Sequence, residues 1–242
     1  MSTWFLAIAA ALWGAVAGAL LPRAAHRLSV PPGEPWRERC PGGHALGGWL
    51  GQASCPKCPQ AGHGPRTAPL MITTALVCAA LAAATGTRPE LGVWLLLAPV
   101  GVLLTVVDLR VRRLPDPLTL PFAGAALALL GLTALVPEHA GEWTTALLGS
   151  LALGGGYFAL FLINPAGMGF GDVKLALGTG AVLGWYGWPT VMLGTFAGFL
   201  LGALYGGALV IAGRASRKTA IAFGPFLITG AFLGLLAGAW TA

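Results

Sequence analysis

Two acidic residues in this chain stand where an apolar environment tolerates them least. Asp108 closes the apolar run Leu91–Val107, and Asp172 opens another within Gly169-Phe170-Gly171-Asp172. Only eight Asp and Glu occur in 242 residues. A carboxylate at a membrane boundary is costly unless it faces water, a partner or protein interior, so such a residue reads first as a functional group. Two carboxyls held close together cannot both ionise cheaply; they share a proton and titrate as one unit. One can then take a proton from water while the other protonates a carbonyl oxygen, with no covalent intermediate and no catalytic metal. No serine, cysteine or histidine arrangement competes near either acid.

The residues around the two acids sharpen this reading. Glycines beside Asp172 permit irregular backbone and close approach of another chain, and Pro165 ends the preceding helix. Irregular backbone at membrane depth is tolerated only where it lines a cavity or is buried in protein. Residues 169–172 are therefore expected to form a non-helical turn in which Gly171 leaves room for substrate, whereas Gly154 is expected to sit in a helix and tolerate alanine. Asp108 is followed by a basic turn, Arg110-Val-Arg112-Arg113, and then by Pro115-Asp116. The structural alternative is that Asp108 pairs with Arg110 or Arg112 while Asp116 caps a helix. Capping suits Asp116; for Asp108 it is less apt, because a carboxylate at a helix C-terminus opposes the macrodipole.

These acids need a scaffold, and the composition supplies one. Hydrophobic residues make up 56% of the chain and charged residues 9%, with mean hydropathy +0.78, which describes an all-α, polytopic membrane protein. Eight spans are expected near 4–22, 69–86, 91–107, 118–136, 144–164, 173–188, 191–212 and 222–241; the sixth is short enough that seven spans plus a re-entrant piece is the alternative. Thirteen of the fourteen Lys and Arg lie in or beside the loops 23–68, 108–117, 165–172 and 213–221. The excess of positive charge is then a topology signal and no nucleic-acid patch, and it puts both termini outside and both acids at the cytoplasmic face of the membrane. The chain divides into a first transmembrane helix (1–22), a cytoplasmic loop (23–68) and a membrane-embedded region (69–242). Residues 1–22 lack a basic n-region and read as an uncleaved span. The 37 glycines gather in the second half, where Gly202-x3-Gly206 has the spacing that lets helices approach closely.

The loop 23–68 is too polar and too rich in Pro and Gly to fold unaided. Cys55-x2-Cys58 has the spacing of a zinc half-site, Cys40-x3-His44 offers two further ligands, and His63 is near in sequence. A cytoplasmic placement argues against a structural disulfide. A zinc site and a degenerate knuckle without metal are the two readings of this loop. Cys78, inside an apolar run, reads as a small packed hydrophobe.

Taken in order, Asp108-x6-Pro115-Asp116, Gly169-Phe-Gly171-Asp172 and Ile221-Ala-Phe-Gly224-Pro225-Phe226 resemble the bacterial prepilin peptidases, or type IV leader peptidases, membrane aspartic proteases of the GxGD class. The resemblance covers roughly residues 91–230. It implies that Asp108 and Asp172 are the catalytic pair, and that Gly169, Gly171, Lys174, Pro115, Asp116, Gly224 and Pro225 position substrate around them. It implies cleavage of the short basic leader of type IV pilin-like precursors at the cytoplasmic face of the bacterial inner membrane, with no cofactor for that step. Many members also methylate the new N-terminus with S-adenosylmethionine. The family's full-length members carry two C-x2-C pairs in the first loop; this chain has Cys40 with His44, then Cys55 and Cys58, which leaves methylation open. The rival readings are a small proton- or cation-coupled transporter, which predicts mid-span acids and an internal repeat, and an inactive scaffold of the same fold.

Overall fold

The computed structural model describes residues 3–55, 57–58, 64–165, 167–214 and 221–242. Among them are eight helices: α1 (Thr3–Leu28), α2 (Thr67–Thr85), α3 (Glu90–Val111), α4 (Asp116–Thr133), α5 (Trp143–Ile163), α6 (Phe170–Gly184), α7 (Trp188–Ile211) and α8 (Gly224–Thr241). Seven of these are long and apolar enough to cross a membrane. The exception is α6. Its 15 residues rise about 22 Å, short of a hydrocarbon core of about 30 Å. Eleven of the fifteen are buried, so protein rather than lipid surrounds it. The expected sixth span is thus an interior helix, packed against α4, α5, α7 and α8.

Glycine explains how a helix with so little side-chain bulk packs so tightly. A Cβ on Gly184 would meet the Ala146 Cα at 3.0 Å, and one on Gly149 would meet the Gly180 backbone oxygen at 2.7 Å. Gly180-x3-Gly184 is therefore the seam between α6 and α5. The same device recurs where Gly194-x3-Gly198 of α7 faces Gly230-x3-Gly234 of α8, and where Gly14-x3-Gly18 of α1 lies on the α2 backbone at Leu70 and Thr74. In lipid there is little hydrophobic drive between helices, and close backbone contact supplies van der Waals attraction instead. Gly202 and Gly206, singled out by their spacing, look onto the Phe223 and Ile221 side chains, a looser contact than these three seams.

The end of the bundle remote from the acids is tied by one buried cluster. Glu90 is fully buried and pairs with Arg88 at 3.8 Å. The Tyr186 hydroxyl and the Ala140 N–H donate to its Oε1 at 3.2 and 3.4 Å. Arg88 also donates to the carbonyls of Ala84, Thr85 and Ala239. The one basic residue outside the positive loops is thus engaged with a carboxylate and with helix C-terminal carbonyls, where the macrodipole favours a cation.

Loop 23–68 is docked onto the membrane region by arginines of α1 and of the α3–α4 turn. Arg23 donates to the carbonyls of Gly47 and Gln52. Arg27 donates to Gly48 and lies 4.2 Å from the Trp49 ring. Arg113, in the turn between α3 and α4, donates to the Pro31 carbonyl and lies 4.9 Å from the Trp36 ring. Cys78 is fully buried among apolar neighbours.

Candidate active site

Asp108 lies near the C-terminal end of α3 and Asp172 in the first turn of α6, and both are buried, 4% and 8% exposed. Each is held by a backbone amide. The Gly224 N–H donates to Asp108 Oδ2 at 3.0 Å, and the Gly169 N–H donates to Asp172 Oδ2 at 3.2 Å. The two carboxyls act on each other electrostatically. Leu114 lies between their supports: a Cβ on Gly171 would meet the Leu114 Cβ at 2.9 Å, and one on Gly224 would meet Asp108 Oδ2 at 2.7 Å and Leu114 Cδ1 at 3.4 Å.

The backbone follows from local chemistry. Asp172 is three residues past Gly169, the N-cap of α6, and its own N–H donates to the Gly169 carbonyl at 3.0 Å. A carboxylate there answers the free amides and positive end of the helix. Gly171 and Asp172 are consequently helical, and the irregular backbone expected over 169–172 is confined to Gly169 and the residues before it. Gly171 is small because Leu114 presses on it, which differs from the expectation that it makes room for substrate. Gly154 also departs from expectation: a Cβ there would run into the Leu177 side chain.

The α3–α4 turn differs from its expected role as well. Asp116 is the first residue of α4; the N-cap is Pro115, and no side chain caps this end. Asp116 instead forms an ion pair with Lys174 at 2.7 Å, tying the start of α4 to the start of α6. Lys174 also lies 4.9 Å from the Phe170 ring. Asp108 binds the Gly224 amide, and Arg110 forms no ion pair with it among the described residues. Pro225 follows Gly224 at the first turn of α8, where the missing amide hydrogen is no loss.

Tyr157 and Phe223 also belong to this region. Phe223 lies within the Ile221–Phe226 motif, whereas Tyr157 does not stand out in a chain this apolar. Tyr157 of α5 is 2% exposed and within electrostatic range of Asp172, and its ring lies 6.1 Å from that of Phe223.

A second constellation lies in loop 23–68. One ligand atom from each of Cys40, His44, Cys55 and Cys58 falls within 4.8 Å of the others. His44 Nδ1 is 3.6, 3.7 and 3.3 Å from the three sulfurs. Ligands at zinc distances in a tetrahedron stand about 3.5–3.8 Å apart, so these four fit that ion. The turn that presents them is a knuckle: the Cys40 N–H donates to the His44 carbonyl at 2.8 Å, the Gly43 N–H to the Cys40 carbonyl at 2.8 Å, and the Cys58 N–H to the Cys55 carbonyl at 3.0 Å. Gly43 has φ +80°, a conformation that favours glycine. Burial pushes the Cys40 thiol up, but hydrogen bonds with His44 and Cys55 more than offset it and hold it at about 7. Burial together with Cys40 and Cys55 pushes Cys58 up to about 11. His63 lies outside the described residues.

An all-helical bundle with seven helices among the described residues long and apolar enough to cross a membrane, an interior glycine-rich helix and two buried acids at one end defines a polytopic membrane protein with a paired-carboxyl site. Residues 95–207 match the model of the type IV leader peptidase family. The chain is 33% identical over 194 residues to a prepilin leader peptidase/N-methyltransferase of Bacillus subtilis (strain 168), covering 75% of this chain and 71% of that protein. It is 38% identical over 146 residues to the protein of that name from Aeromonas salmonicida (strain A449), covering 60% of this chain and 48% of that one. With the Stutzerimonas stutzeri protein of that name it shares 26% identity, over 96% of this chain and 90% of the other. The chain belongs to the type IV leader peptidase family. It spans about half the length of the Aeromonas relatives, and no solved structure matches it.

Proposed function

We propose that the protein is a membrane aspartic endopeptidase that removes the leader of type IV pilin-like precursors at the cytoplasmic membrane face, with Asp108 and Asp172 as its catalytic pair. The observation that carries this reading is the convergence of two buried carboxyls, 64 residues apart in sequence, each held by a backbone amide. In the reaction one carboxylate accepts a proton from water as the water oxygen attacks the scissile carbonyl. The other carboxyl delivers a proton to the carbonyl oxygen. The amides of Gly224 and Gly169 hold Oδ2 of each acid, which leaves Oδ1 for substrate, water and the shared proton. Lys174 and Asp116 set α6 against α4, and Gly171 lets Leu114 close the space between the two supports.

Cys40, His44, Cys55 and Cys58 would hold a structural zinc, whose chemistry is to fold the loop 23–68. We assign the chain the division into helix 1–22, loop 23–68 and membrane-embedded peptidase region 69–242. The relatives' name includes N-methyltransferase; for this chain, with its Cys3His knuckle, S-adenosylmethionine binding is an open second activity. The transporter reading is not favoured, because both acids sit at helix ends rather than mid-span.

Co-expression with a full-length type IV pilin precursor tests the reading. Mass spectrometry should find the precursor shortened by its leader in cells containing this protein. A precursor that stays intact while the protein accumulates in the membrane would refute the assignment.

A further inference from the structure

The Tyr157 hydroxyl is sealed from solvent and has no hydrogen-bond partner among the described residues. Leaving a buried hydroxyl unpaired costs its full desolvation, and phenylalanine would fill the same space without that cost. The neighbours show as much: the Tyr157 ring stacks on Phe199 of α7 at 5.6 Å and 25°, and also meets Phe223. Phe199 and Phe223 are 5.3 Å apart. Three aromatic rings thus form one shelf, and the single polar atom on it belongs to Tyr157.

The position of this shelf gives the hydroxyl its meaning. Phe223 directly precedes Gly224, whose amide holds Asp108. Tyr157 is also within electrostatic range of Asp172. One helical turn further along α5, Phe161 meets Phe170 at 5.4 Å, two residues before Asp172. The shelf therefore adjoins the Gly224 support of Asp108, and the helix that carries Tyr157 also packs, through Phe161, on the first residue of α6. The other orphaned aromatic donors, Trp94 Nε1 and Trp185 Nε1, sit with Tyr186 and His139 at the opposite end of the bundle.

We propose that the Tyr157 hydroxyl donates a hydrogen bond to the scissile carbonyl oxygen of a peptide held between Asp108 and Asp172. The proposal rests on the endopeptidase reading and assigns that reaction a third participant. As water adds, its oxygen bonds to the carbonyl carbon and one of its protons passes to the carboxylate. The C=O π pair moves onto oxygen, which takes the proton of the other carboxyl, giving a neutral gem-diol with the roles of the acids exchanged. The C–N bond then breaks: a gem-diol hydroxyl proton returns to the carboxylate while the nitrogen is protonated from the other acid. Tyr157 keeps its proton throughout. Its hydrogen bond strengthens as negative charge gathers on the carbonyl oxygen, and a preorganised donor in a water-poor site acts most strongly at that moment.

The test uses the purified full-length protein in detergent with a full-length type IV pilin precursor, comparing wild type with Tyr157→Phe. The substitution removes one oxygen and keeps the ring on its shelf. Loss of one oxyanion donor typically lowers kcat by about 10²–10³-fold. A fall of at least about 10²-fold in kcat is expected, with KM within about threefold of wild type and the thermal midpoint unchanged or raised. A kcat within about threefold of wild type would overturn the proposal, as would a loss confined to KM or one accompanied by a lowered thermal midpoint. Wild-type protein that cleaves no precursor would refute the endopeptidase reading itself, and this inference with it.

Discussion

Asp108 and Asp172 were visible in the sequence because carboxylates are scarce and expensive in apolar surroundings, so their positions carry information. Leu114 and Tyr157 were not, because one more apolar or aromatic residue in a chain 56% hydrophobic carries almost none. Gly224 was visible through its motif but its role was not, since a backbone amide bond to Asp108 leaves no trace in residue type. That bond yields a prediction. A Cβ at Gly224 would stand 2.7 Å from Asp108 Oδ2, so Gly224→Ala must displace the carboxylate. A misplacement of about 1 Å at a reacting group can cost about 10²-fold, and precursor cleavage by Gly224→Ala should fall by that order while the protein still accumulates. Near wild-type turnover would show that the amide does not position the acid. Asp116 behaves differently: its side chain is 61% exposed, and such ion pairs contribute about 1 kcal/mol or less. Asp116→Asn should keep cleavage within about tenfold of wild type, and a complete loss would give Asp116 a chemical role that this account denies it.

Hydropathy locates the eight helices to within a few residues, save that α1 runs on to Leu28, because apolar length is what a bilayer selects. Hydropathy could not say that α6 is wrapped by protein, since an apolar run looks alike in lipid and in a core. Small-residue spacing carried that information: Gly180-x3-Gly184, Gly194-x3-Gly198 and Gly230-x3-Gly234 mark the close seams, and among 37 glycines their spacing was lost in the background. At the α7–α8 seam a Cβ on Gly230 would lie 2.5 Å from the Gly198 nitrogen. Gly230→Leu should therefore separate the two helices and sharply lower the folded yield in detergent, read by size-exclusion profile and thermal midpoint. Gly154→Ala meets only the flexible Leu177 side chain, and overpacking of that kind costs about 1–3 kcal/mol, so a smaller drop in midpoint is expected. Equal, wild-type midpoints for both would remove the seam argument. The loop 23–68 was readable as ligand types and spacings, His44 included, but the convergence of the four side chains needed the knuckle turn. Purified protein should carry about one zinc per chain, and Cys55→Ser should lose it and make the loop protease-sensitive, because a structural metal is coupled to folding. Full zinc content in Cys55→Ser would exclude the four-ligand site.

The whole molecule combines a membrane bundle with an acid pair at one end and a docked basic loop at the same end, where Arg113 links loop and active-site turn. From the thirteen-to-one basic asymmetry we propose that this end faces the cytoplasm. In a cysteine-free background, a cysteine at Thr144 should react with a membrane-impermeant thiol reagent in intact cells, and one at Ser216, which lies outside the described residues, should not; the reverse pattern would put the acids on the outer face. The most direct test of the central claim is cleavage of a full-length pilin precursor by purified protein across pH, for wild type, Asp108→Asn and Asp172→Asn. Asparagine keeps the shape of the side chain but can neither ionise nor cycle a proton. Wild type should give a bell-shaped profile, as a coupled pair requires, and each mutant should be inactive at every pH while remaining folded. Cleavage by either mutant at near wild-type rate would contradict the assignment of Asp108 and Asp172 as the catalytic pair.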